Sequence, residues 1–189
     1  MDTASMHRRA VENFAQNVQQ ISDDQWGQPT PCSEWDVRAL VNHVVGEELW
    51  VPPLVDGKTI EEVGSAFDGD VLGDDPRAKA SAAASDSIDA FDRGIPQEVT
   101  VALSFGETPV DEYAMQIAAD HLIHGWDLAA GTGMDRTMDA ELVAAIAEWF
   151  APQEEMWRSG GATGPRPDSG GDPQSDLLAA FGRRHDWTA

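Results

Sequence analysis

Ala119-Asp120-His121-Leu122-Ile123-His124-Gly125-Trp126-Asp127-Leu128 sets a carboxylate and an imidazole four residues apart inside a strongly helical, apolar stretch. Residues i and i+4 on a helix stand one turn apart on the same face. Asp120 and His124 therefore converge on one ion if another element supplies a third donor, and His43 is the candidate. His121 competes for the role: it lies about 60° around the helix from His124, on the side away from Asp120. Glu47, one turn beyond His43, is a second competing carboxylate. Taken alone, the spacing is also what a satisfied pair of core histidines gives.

Working outward, the same stretch is the second half of a helix expected over 111–130, opened by an acid and closed by Gly131-Thr132-Gly133. Met6, Ala10, Val11, Phe14, Val18 and Ile21 recur at helical spacing and predict a first helix over 3–20. Ser33-Glu34-Trp35-Asp36 has the capping-box layout, so a second helix is expected to begin there and stop at Pro52-Pro53, with His43 in its middle. Residues 54–74 read as a long connection with a short turn around 59–67. Pro76 opens a third, alanine-rich helix that Gly94 closes. Alternation at Val99, Val101 and Leu103, a Gly106 turn and a second extended piece at 108–110 predict a short β-hairpin.

Beyond the ligand helix, 139–150 carries the helical period again. The Gly/Pro/Asp-rich segment 159–173 is expected to be a flexible loop, and 175–181 a short apolar helix. The last residues, with Trp187, are expected to dock. The expected organisation is one domain over 1–189, with a bundle core over 3–135 and a helical C-terminal extension over 136–189.

Composition narrows the function classes. A hydrophobic content of 41% is globular, and no apolar run approaches the roughly 20 residues of a membrane-spanning helix. The N-terminus has no basic region followed by an apolar one, so a cytoplasmic location is expected. With 34 acids against 12 bases the formal charge is −22, a field that repels nucleic acid and anionic lipid. The single cysteine, Cys32, rules out an internal disulfide and a thiolate-rich zinc site, so a metal must rest on nitrogen and oxygen. No Gly-x-Ser-x-Gly elbow and no phosphate-binding glycine loop is present.

Two imidazoles and one carboxylate leave coordination positions open for water or substrate, the catalytic rather than the structural pattern for zinc. Nickel, iron and cobalt accept the same donors. Asp127, three residues after His124, reads either as an acceptor orienting an imidazole or as an ordinary ion-pair partner.

Thr30-Pro31-Cys32-Ser33-Glu34-Trp35-Asp36-Val37-Arg38-Ala39-Leu40-Val41-Asn42-His43, followed in order by Asp120-His121-Leu122-Ile123-His124-Gly125-Trp126-Asp127-Leu128-Ala129, resembles the actinobacterial metal-binding branch of the DinB-like superfamily. That branch includes the metal-binding domain of mycothiol-dependent maleylpyruvate isomerase. The resemblance implies an all-α four-helix bundle with extra C-terminal helices and a metal near one end of the core. Its ligand pattern, a His on the second helix and a Glu and a His spaced i, i+4 on a later one, falls here on His43, Asp120 and His124. Asp replaces Glu and is one methylene shorter, which keeps His121 in view as a substitute ligand. The implied activity is a divalent-metal-dependent, mycothiol-using transferase or isomerase acting on a small electrophile, zinc being the first choice of metal. The alternative is a non-catalytic small-molecule binding or resistance protein on the same bundle, with a homodimer as one form of it.

Overall fold

The computed structural model describes all 189 residues. Four long helices make the bundle: α1 (Thr3–Gln20), α2 (Val37–Val55), α4 (Pro76–Gly94) and α5 (Val110–Thr132). They pack in a ring, α1 against α4 and α5, and α2 against the same two. A one-turn α3 (Ile60–Val63) interrupts the 56–75 connection, and a hairpin of β1 (Thr100–Leu103) and β2 (Gly106–Pro109) precedes α5. Three shorter helices follow: α6 (Ala140–Phe150), α7 (Glu154–Ser159) and α8 (Pro173–Ala180). The fold is mostly helical and DinB-like, and no helix is long and apolar enough to cross a membrane.

The expected stripe on α1 is buried: Met6, Ala10, Val11, Phe14 and Val18 all face inward. Phe14 and Val18 meet Leu40, Val41 and Val44 of α2 and Leu128 of α5 in one layer of core. In the hairpin, Leu103 pairs with Gly106, so Ser104 and Phe105 form a two-residue turn. Gly106 takes a φ of +128°, which a side chain would strain.

Several helix ends differ from expectation: α5 begins at Val110 behind Pro109 with no side-chain cap, so Asp111 lies inside its first turn instead of capping it, and α8 begins at Pro173; the ends of α2 differ most. The second helix begins at Val37, with Asp36 as its N-cap accepting from the Ala39 amide at 2.8 Å. Ser33 lies in a turn held by the Thr30 hydroxyl, which donates to the Trp35 carbonyl at 2.8 Å. Asp36 caps better because its side chain meets an amide three residues on, while Thr30 has already fixed the chain at 32–35 in a non-helical path. Nor does Pro52-Pro53 stop the helix, which continues to Val55. An internal proline costs about 3 kcal/mol. Here Val51, Leu54 and Val55 are buried against Phe91, Val101 and Val110, each contributing on the order of 1.5–3 kcal/mol, which offsets it.

α7 adds an element that sequence periodicity did not indicate. The C-terminal segment docks on the bundle: α8 packs on α6, and Phe150 stacks on Phe181 with ring centroids 4.0 Å apart. Met6, Ala119, Ile123, Leu177 and Leu178 share that core, with Trp187 packed at its edge. Arg136 donates to the Trp187 carbonyl at 2.9 Å and fixes the last turn.

Candidate metal centre

α2 and α5 lie side by side and bring His43, Asp120 and His124 together. Asp120 Oδ1 stands 3.6 Å from His43 Nε2 and 3.4 Å from His124 Nε2. One donor atom from each of the three residues falls within 4.8 Å of the other two. Burial opposes the Asp120 charge, but the His124 and His43 imidazoles hold its carboxyl well below the usual carboxylate range. Burial likewise opposes charge on His43, and Asp120 overcomes it and raises the imidazole. Asp120 Oδ2 is buried without a hydrogen-bond partner.

Trp35, in the turn before α2, covers both rings, its centroid 4.6 Å from His43 and 5.6 Å from His124. A cavity of about 280 Å3 opens on the other side, lined by the three residues together with Glu47, Tyr113, Trp157 and Arg183. Burial, and then the Asp120 charge, push the Glu47 carboxyl up. Glu47 lines the cavity and stands outside the three-residue cluster.

His121 is placed elsewhere. Its side chain points between α1 and α2, where Nδ1 lies 2.8 Å from the Ile117 carbonyl and Nε2 lies 2.8 Å from Glu48 Oε1. Both ring nitrogens are thus engaged, in a pair that is essentially inaccessible to solvent. Burial raises the Glu48 carboxyl even against His121, and Glu48 raises the His121 imidazole even against burial. The 60° offset along the helix, which leaves His121 equally near in sequence, turns it onto a different neighbour in the fold.

Behind His124, Asp127 Oδ2 stands 3.0 Å from Nδ1, the orienting role open to an acid at i+3. Asp127 also receives Arg183 from beyond α8 and the Cys32 thiol, which donates to Oδ2 at 3.2 Å. Burial works against the Asp127 charge, but His124 and Arg183 lower its carboxyl nonetheless. Burial and the neighbouring Asp127 push the Cys32 thiol up to about 12, which makes it a hydrogen-bond donor and a poor nucleophile. Cys32, His124 and Asp127 also lie close enough to form a donor triad. The Arg183 guanidinium already sits there, donating to the Cys32 sulfur at 3.1 Å, so a second cation would face direct repulsion.

Two close approaches make this arrangement possible. A Cβ at Gly131 would lie 2.8 Å from the Pro29 carbonyl, so only glycine lets the Cys32 loop settle against the end of α5. Thr30 then ties that loop to Trp35. Sequence spacing pointed to neither Trp35 as a cover nor Arg183 as a partner, since both depend on tertiary contacts. The Trp187 signal for a docked C-terminus was the one available hint.

Fold and cavity define a DinB-like bundle with a histidine–carboxylate cluster between its second and fourth long helices. Residues 7–129 match the family described as mycothiol maleylpyruvate isomerase N-terminal domain, and the chain belongs to that family. An uncharacterized protein from each of two strains of Mycobacterium tuberculosis is 33% identical over 96% of this chain and 97% of its own length. The crystal structure of the mycothiol-dependent maleylpyruvate isomerase matches 87% of this chain and 72% of its own, with a TM-score of 0.62 and 15% identity. A histidine-to-alanine mutant of that enzyme matches equally well at 14% identity.

Proposed function

We propose that the chain is a divalent-metal protein that uses mycothiol to transform a small electrophile, as a transferase or an isomerase, with His43, Asp120 and His124 as the metal ligands. The observation that carries the reading is the donor geometry. Neighbouring donors around a tetrahedral zinc are about 3.4 Å apart, and Asp120 Oδ1 stands 3.6 and 3.4 Å from the two imidazole nitrogens. The partnerless, buried Asp120 Oδ2 is the second argument, because a buried carboxylate oxygen is costly unless something compensates it. The two-nitrogen, one-oxygen set favours zinc and also suits nickel, iron or cobalt.

A divalent ion held there supplies positive charge that favours thiolate over thiol at neutral pH. The chain's own residues do the rest. Asp127 keeps the His124 proton on Nδ1 and leaves Nε2 free as a donor. Trp35 excludes water from one side of the imidazoles. Glu47 lines the cavity beside the three ligands and is the carboxyl placed to take a proton from an incoming thiol. Mycothiol-dependence in the structurally similar isomerase supports the choice of thiol.

The test is metal analysis of the purified protein and of His43→Ala, followed by incubation of the metal-loaded protein with mycothiol and a panel of electrophiles. About one equivalent of metal, lost in the variant, with thiol consumption only when mycothiol and electrophile are both present, is the expected result. Absence of stoichiometric metal overturns the site. Metal without thiol consumption leaves a non-catalytic binding protein.

A further inference from the structure

The cavity at the His43–Asp120–His124 cluster is small, but it does not end blindly. Gln116, Trp157 and Ala162 line it and also line a neighbouring groove of about 760 Å3 between the β-hairpin and α7. Such a volume lies within the range that receives drug-sized molecules. The groove walls include Phe105, at the hairpin turn, and Met156, on α7, which are 71% and 64% exposed. These are two of the three large apolar side chains that the whole molecule exposes, the third being Met1. Their convergence on one groove sharing a wall with the polar cavity marks a binding surface rather than scattered surface apolarity.

Charge narrows the occupant. The groove's charged residues are Glu107 and Glu112, and no lysine or arginine faces it. Glu112 already accepts from the Trp149 indole at 2.9 Å and from the Gln116 amide at 3.3 Å, so it forms a fixed acidic wall. The one guanidinium in the inner cavity, Arg183, is spent on Asp127, the Cys32 sulfur and the Phe181 carbonyl. A carboxylate seated in the groove would therefore lie beside two acids with no lysine or arginine there to pair it, in a molecule of formal charge −22.

We propose that this groove seats the electrophile, and that the electrophile is an uncharged molecule with an apolar body of aromatic-ring size held between Phe105 and Met156. Its reactive end faces the His43–His124 cavity across Gln116 and Trp157. This deepens the metal-and-thiol reading and rests on it for which end reacts; binding in the groove stands apart from it.

The experiment is a fluorescence titration of the full chain with Nile red, an uncharged apolar dye, and displacement by 1-naphthol or by 1-naphthoate. The expected result is saturable binding, displacement by 1-naphthol, and displacement by the naphthoate anion weaker by about tenfold or more. Phe105→Asp and Met156→Asp should each weaken the dye about tenfold, while Met156→Leu binds as the parent does. Both positions are exposed, so folding is preserved, and circular dichroism checks it. His43→Ala should bind dye unchanged; if that variant and the parent both lack metal yet bind the dye, the metal reading falls and the groove stands. Equal displacement by naphthol and naphthoate, or unaltered dye binding in both aspartate variants, overturns the proposal. So does a dimer by sedimentation that Met156→Asp dissociates, since a second copy would then be the occupant.

Discussion

Arg183 grips Asp127 with two nitrogens, Nε at 3.2 and 3.1 Å from the two carboxylate oxygens and Nη2 at 2.9 Å from Oδ2. Asp127 is 0% exposed, and the same Oδ2 orients His124. Arg183→Ala leaves that carboxylate buried without its cation, and breaking a buried pair in this way costs about 3–5 kcal/mol. Chemical unfolding is expected to show a loss of that size. Asp127→Asn frees the His124 ring to change tautomer, and zinc affinity, read by chelator competition, should fall about 10- to 100-fold. Unchanged affinity in Asp127→Asn would remove the orienting role.

The histidines of α2 and α5 separate into two classes that substitution can tell apart. His43→Ala removes a partly exposed ring and should abolish stoichiometric metal while changing stability little. Glu48→Gln weakens the buried Glu48–His121 contact and should cost about 1–3 kcal/mol in stability while leaving metal content at the parent level. Metal loss in Glu48→Gln with intact folding would place His121 back among the ligands.

Cys32 makes a chemical prediction. A thiol pushed up to about 12 carries little thiolate at pH 8, roughly a thousandfold less than one at its ordinary value. Iodoacetamide should therefore label Cys32 in the folded protein far more slowly than after denaturation. Rapid labelling of the folded chain would show a thiolate that neither Asp127 nor burial suppresses.

His7 controls stability toward acid. Burial beside Phe91, followed by the nearby His121 and Arg8, lowers its imidazole to about 3, and its Nε2 lies 3.2 Å from the Ser87 hydroxyl. Because the folded value lies below the unfolded one near 6.5, the unfolded chain binds the proton first. This stabilising contribution is complete above pH 6.5 and is lost as pH falls toward 3, at about 1.4 kcal/mol per unit. Between pH 7 and pH 5 the parent should lose about 2 kcal/mol more than His7→Gln. Parallel losses in the two proteins would mean that His7 is protonated in the fold.

Most of the architecture was readable because amphipathic helices announce their period. Met6 to Ile21 and Leu142 to Phe150 read as helices from spacing alone, and the Val99–Leu103 alternation marked the hairpin. Errors arose where tertiary contacts outweigh local rules. Pro52-Pro53 stays helical because Val51, Leu54 and Val55 have a core to enter, and Ser33 yields the cap to Asp36 because Thr30 holds the preceding turn. In the site, i, i+4 spacing indicated that Asp120 and His124 share a face, but it could not orient His121, whose neighbour Glu48 comes from α2. Trp35 and Arg183 were out of reach, since only folding carries them to His124.

The clamp on Asp127 also bears on which sites are open to a cation. Arg183 reaches back across 56 residues to set its own positive charge against the Asp127 carboxylate and the Cys32 sulfur. The Cys32–His124–Asp127 triad is therefore occupied by a guanidinium, and the only cysteine sulfur in the chain is withheld from metal chemistry. Of two overlapping donor sets that share His124, the one built from nitrogen and oxygen alone keeps no fixed cation inside it.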